Sequence, residues 1–113
     1  MIDKNEFLLL EEQIESYITA KKIKTTQAKQ LIDSYFNLII QYFKSINDVT
    51  EIDMATLSSL PIVPMNFEER YQYIEVRKYH YMGYKQMKTM KDELIKMNAS
   101  YKIRQKHGVS KRN

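Results

Sequence analysis

Between positions 70 and 88 positive charge alternates with phenol rings: Arg70, Tyr71, Tyr73, Arg77, Lys78, Tyr79, Tyr81, Tyr84, Lys85 and Lys88. Basic groups neutralise phosphates or acidic patches, and tyrosine rings offer faces to bases, apolar pockets or partner side chains. That combination belongs to a binding surface rather than to a reaction centre. Arg77, Lys78, Tyr81, Tyr84, Lys85 and Lys88 are therefore the first candidate site residues, and Lys91 continues the series. Lys102, Arg104, Lys106, Lys111 and Arg112 are positioned in the chain to extend phosphate contacts beyond them.

The charge is divided unevenly. Residues 1–60 hold 6 Lys and Arg against 9 Asp and Glu, a net of −3, and residues 61–113 hold 12 against 5, a net of +7. After Glu93 the chain has no acid. The expected partner is thus nucleic acid, with an acidic protein as the alternative. In that alternative a phage or mobile-element adaptor or inhibitor presents Tyr79, Tyr81, Tyr84 and Arg77 to a host protein, since Tyr and Arg are enriched at binding hot spots.

Catalytic chemistry lacks its parts. The two histidines, His80 and His107, form no Glu-x-x-His or His-x-x-x-His pair that would set ligands on one helical face. Cysteine is absent, which excludes disulfides, thiolate nucleophiles and Cys-based zinc sites. Glu11, Glu12 and Glu15 read as a solvated face, and Glu68 and Glu69 as favourable charges at a helix start. With no Gly-rich phosphate loop and no Ser nucleophile motif, the expectation is a non-enzymatic protein with no cofactor and no metal. His80 is expected as a packed, hydrogen-bonded side chain.

Two glycines and two prolines in 113 residues, beside abundant Lys, Glu, Gln, Leu and Met, favour long helices over hairpins. The expected class is all-α: an antiparallel helical hairpin plus a long third helix, resembling a three-helix bundle, with a basic C-terminal tail. No signal-peptide core is visible, because the longest early apolar run is Phe7–Leu10, and no stretch reaches the roughly 18 apolar residues of a membrane span. A cytoplasmic protein that does not enter the membrane is expected. Heavy use of Lys, Ile, Asn and Tyr suggests an AT-rich genome, such as that of a low-GC bacterium, its phages or its plasmids.

The elements that must carry these residues follow from periodicity. Asp3 and Glu6 have capping-box spacing, and Phe7, Leu10, Ile14, Tyr17 and Ile18 then share a face, predicting a helix over about 4–21. Leu8 and Leu9 lie off that stripe and call for a second neighbour, the third helix or a partner. After Thr25 and Thr26, a broad apolar band from Leu31 to Ile46 predicts a central helix over about 27–46. The segment 47–65, with Pro61 and Pro64, reads as a long connection with a single turn near 53–59, packed on the hairpin and carrying the chain to its far end.

Asn66 and Glu69 repeat the capping-box spacing and open a third helix over about 67–97. In sevens it places Tyr73, His80, Met87, Leu94 and Tyr101 at one position, and Val76, Gly83, Met90, Met97 and Arg104 three residues later. This stripe either packs on the hairpin or protrudes as an intermolecular coiled coil, which would make a homodimer through the third helix. Gly83 within it either admits another backbone or bends the helix. Residues 1–97 then form one domain and 98–113 a basic extension. A helix-turn-helix over 92–104 fits poorly: Asn98 replaces the turn glycine, and little chain remains for a recognition helix.

Overall fold

The computed structural model describes residues 2–111, and side-chain surroundings through residue 106. All regular structure among them is helical: α1 (Lys4–Thr19), α2 (Thr26–Asn47), a 3-10 helix (Met54–Ser59), α3 (Phe67–Val76) and α4 (Tyr81–Lys111). The all-α bundle is as expected.

The start of α1 is fixed by the capping box: the Asp3 carboxylate accepts from the Asn5 N–H at 3.1 Å, and Glu6 accepts from the Asp3 N–H at 2.7 Å. The Thr25 hydroxyl caps α2 by accepting from the Ala28 N–H. Along α2, Ala28, Ile32, Tyr35, Phe36, Ile39 and Phe43 recur every three or four residues and are all buried, so α2 is the central helix. Each such Ile or Phe contributes about 1.5–3 kcal/mol through burial. Phe7 of α1 meets Tyr35 and Tyr42 edge-on, closing the first helical hairpin.

The connection after α2 does not travel to the far end of the bundle. Phe67, the first residue of α3, stacks on Phe43 near the end of α2, with ring centroids 4.6 Å apart, so the segment leaves and returns at the same end. Asn47 holds it there. Its amide donates to the carbonyls of Phe43 and Ile62, and its oxygen accepts from the Ile62 N–H at 2.9 Å. One side chain thereby satisfies both backbone groups of a buried loop residue, which would otherwise each cost about 1–3 kcal/mol.

The expected single third helix is two helices. The chain turns at Arg77–His80, and α3 packs back along α4 as a second hairpin, with Arg70 of α3 bonded to Gln86 and paired with Glu93 of α4. Three contacts explain the turn. Lys78 lies 2.9 Å from Asp33 of α2, the Tyr79 hydroxyl donates to the same carboxylate at 2.8 Å, and Lys29 sits over the Tyr79 ring. Gly83 makes room for it, because a Cβ there would lie 1.9 Å from the Arg77 carbonyl oxygen. Of the two roles open to Gly83, admission of a backbone is the observed one.

The turn also splits the heptad pattern. Met87, Met90 and Leu94 are buried against the hairpin, whereas Tyr73, Val76 and His80 are exposed. His80 is therefore a corner residue, not a packed one. Asn66 precedes α3 in the left-handed region (φ 57°) without a side-chain cap, so its apparent capping box does not form. Leu8 and Leu9 stay exposed at 43% and 60%, uncovered by α4. Residues 98–111 extend α4 without interruption rather than forming a separate tail.

Candidate functional site

The basic and aromatic series is divided by the fold into groups spent internally and groups facing solvent. Spent groups lie along a seam between α1 and α4. Lys91, 4% exposed, sits 2.7 Å from Glu11, itself 4% exposed, and 2.6 Å from Asp92. The buried Tyr35 hydroxyl donates to Glu11 at 2.5 Å. One turn further along α1, Glu15 accepts from Tyr84 at 2.7 Å and from Lys88 at 2.6 Å.

The electrostatics follow from these contacts. Hydrogen bonds from Lys88 and then Tyr84 hold the Glu15 carboxyl below its usual range, and Glu15 in turn raises Lys88. Burial, reinforced by Glu11, pushes the Tyr35 phenol far up, and burial with Glu15 does the same to Tyr84. At the corner, burial would raise Asp33, but Lys78 and Tyr79 outweigh it and hold it down.

Tyr84 is accordingly not an outward ring; it is 2% exposed, because its place between Gly83 and Met87 turns it onto Tyr35 and Glu15. Tyr79 is tied to Asp33. Lys78 and Lys88 are neutralised by acids of the other hairpin; of the expected solvated face Glu12 is exposed, Glu15 is half-exposed but paired, and Glu11 is buried. Tyr81, 50% exposed, remains outward with Lys85 and Arg77, which make no ion pair among the described residues. A cleft of about 300 Å³ gathers Tyr81, Tyr84, Lys85 and Lys88, but Glu15 also lines it and opposes an anion.

The buried Glu11–Lys91 pair was missed from sequence, although a signal existed. Glu11 falls inside the Phe7–Ile14–Ile18 stripe and Lys91 between Met87 and Leu94, so opposite charges occupy core positions on two helices.

The second group is the end of α4. Lys96, Lys102, Arg104 and Lys106 are exposed, and the helix carries no acid beyond Glu93. Lys102 is level with Ile2 at the start of α1, and α4 continues helically to Lys111, roughly 14 Å further at 1.5 Å per residue. The Lys111 side chain and all of Arg112 lie outside the described residues. Among the described residues no group of three or more His, Asp or Glu is arranged to hold a metal ion, and no helix is long and apolar enough to cross a membrane.

Fold and surface together define a small helical protein made of two hairpins, with a buried charged seam and one helix projecting a basic end. Its sequence places it among known families: the chain belongs to the YpoC-like protein family, whose model matches residues 4–106. No curated protein and no solved structure matches it.

Proposed function

We propose that this chain is a non-enzymatic nucleic-acid-binding or regulatory protein that contacts phosphates through the basic end of α4. The observation that carries this reading is the persistence of helix after Glu93, with Lys96, Lys102 and Arg104 exposed on a segment that lacks any acid. Along α3, the corner and the first half of α4, Arg70, Lys78, Lys88 and Lys91 are each matched by a carboxylate. Positive charge on a projecting helix segment that carries no acid attracts a polyanion and releases its counterions on contact. Arg77 and Lys85 supply a weaker second contact near the corner.

The test is fluorescence anisotropy of labelled single- and double-stranded DNA and RNA at about 50 and 200 mM salt, the range in which phosphate contacts reveal themselves. Binding is expected to weaken with salt, and the Lys102→Glu/Arg104→Glu/Lys106→Glu variant to lower the logarithmic salt slope by roughly 2–3, about 0.7–0.9 per contact. Unchanged binding by that variant overturns the assignment. Absence of binding at low salt shifts the reading to an acidic protein partner, for which the exposed Tyr73, Val76, Tyr81 and Met82 around the α3–α4 corner provide the contact surface.

A further inference from the structure

Where the projecting end of α4 leaves the bundle, a cleft of about 330 Å³ opens between the start of α1, the end of α2 and α4. That volume is at the lower end of the range for ligand sites, roughly 300–1,000 Å³. We propose that this cleft seats one unpaired base of a single-stranded nucleic acid whose phosphates run along Lys102 and Arg104. The inference rests on the nucleic-acid reading above and adds to it a preference for single strands and a residue that confers it.

The lining supplies the three things such a base needs. Tyr42 of α2 and Tyr101 of α4 bring aromatic rings, and Ile2 and Ile46 bring apolar surface, so a planar base gains stacking and burial. Polar groups stand beside them with capacity unspent. Asn98 donates through Nδ2 to the Tyr42 hydroxyl at 3.3 Å, leaving the Asn98 carbonyl oxygen as an acceptor and the Tyr42 proton as a donor. The Ser45 hydroxyl, also in the lining, makes no hydrogen bond among the described residues. Donors and acceptors side by side suit a base edge, which an unpaired base exposes and a duplex hides.

Lys102 forms part of the same wall, and Arg104 follows three residues after Tyr101 on the same helix. A base in the cleft therefore has cations within reach of its flanking phosphates. The nearest acid in sequence, Asp3, turns its carboxylate to the Asn5 backbone N–H at 3.1 Å. In this respect the site differs from the corner cleft, where Glu15 is part of the lining.

The experiment compares a labelled oligothymidylate, an abasic strand with the same number of phosphates, and a duplex, by anisotropy at low salt. The base-bearing strand is expected to bind at least tenfold more tightly than the abasic one. Tyr101→Ala should weaken the base-bearing strand roughly five- to 150-fold, the loss that follows removal of one base–aromatic stack, and leave the abasic strand unchanged, while Tyr101→Phe retains affinity. Equal affinity for base-bearing and abasic strands overturns the base site while the phosphate contacts stand. So does full affinity in Tyr101→Ala. Failure of all three ligands to bind removes both readings. The abasic comparison needs no variant and holds even if Tyr101→Ala disturbs the fold.

Discussion

Replacing Glu11 by alanine tests the energetic centre of the bundle. Glu11 and Lys91 are each 4% exposed, and the same carboxylate accepts from the Tyr35 hydroxyl, which is fully buried. Removing one member of a buried ion pair costs about 3–5 kcal/mol, because the other charge stays desolvated. Asp92, 2.6 Å from Lys91 but 52% exposed, retains part of the compensation and favours the lower end. The stranded tyrosine hydroxyl adds about 1 kcal/mol or more. The sum is about 4 kcal/mol, a large share of the 5–15 kcal/mol that holds a typical domain together. Urea unfolding followed by far-ultraviolet circular dichroism should therefore show a midpoint about 2 M lower, for a slope of roughly 2 kcal/mol/M. The Glu11→Leu/Lys91→Met/Tyr35→Phe variant removes the buried charges and the buried hydroxyl together, leaves only the half-exposed Asp92, and should return to within about 1 kcal/mol of the parent, or exceed it. A Glu11→Ala loss below about 1 kcal/mol, or a triple variant no better than the single, would refute the argument that a desolvated charge dominates this seam.

Two further outcomes are expected. Gly83→Ala should destabilise the protein by about 2 kcal/mol in the same urea assay. The added Cβ meets the Arg77 carbonyl, a backbone atom that cannot swing aside, and that overpacking of about 3 kcal/mol exceeds the helix-propensity gain of about 1 kcal/mol; a stabilised variant would mean the corner is not tightly closed. Acid should weaken the fold through Glu15, whose folded carboxyl is held below its ordinary 4.5 chiefly by Lys88. Its contribution is complete above that value. It fades as pH falls from there through the lower folded value, because the unfolded chain takes up the proton first. The Glu15→Gln variant should show a flatter midpoint-against-pH curve in this range, and a curve parallel to the parent's would remove Glu15 from the acid response.

The first two helices were legible in the chain because their signals are local. The Asp3–Glu6 box, the Thr25 cap and the three- and four-residue spacing of Ile32, Tyr35, Phe36, Ile39 and Phe43 each act within a turn or two of helix. The pattern misled where one local signal stood for two tertiary outcomes. Heptad spacing from Tyr73 to Tyr101 reads as one helix, yet the turn at Arg77–His80 is held by Asp33 and Lys29, which lie more than 40 positions away. Asn66 had the right residue for a cap but the wrong backbone angle, which the packing of Phe67 on Phe43 accompanies.

The candidate site divides along the same line. Composition alone determined that the second half is basic, that acids cease at Glu93 and that cysteine chemistry is absent, since these are properties of residue identity whatever the fold. Only tertiary structure decided which cations face solvent: Lys88 and Lys91 meet Glu15 and Glu11, whereas Lys102 and Arg104 meet no acid among the described residues. It also decided that Tyr84 turns inward and that Tyr42, Asn98 and Tyr101 border one cleft. Charge belongs to the residue, but its neutralisation depends on a partner within a few ångströms, and helices distant in sequence become neighbours only when their apolar faces pack.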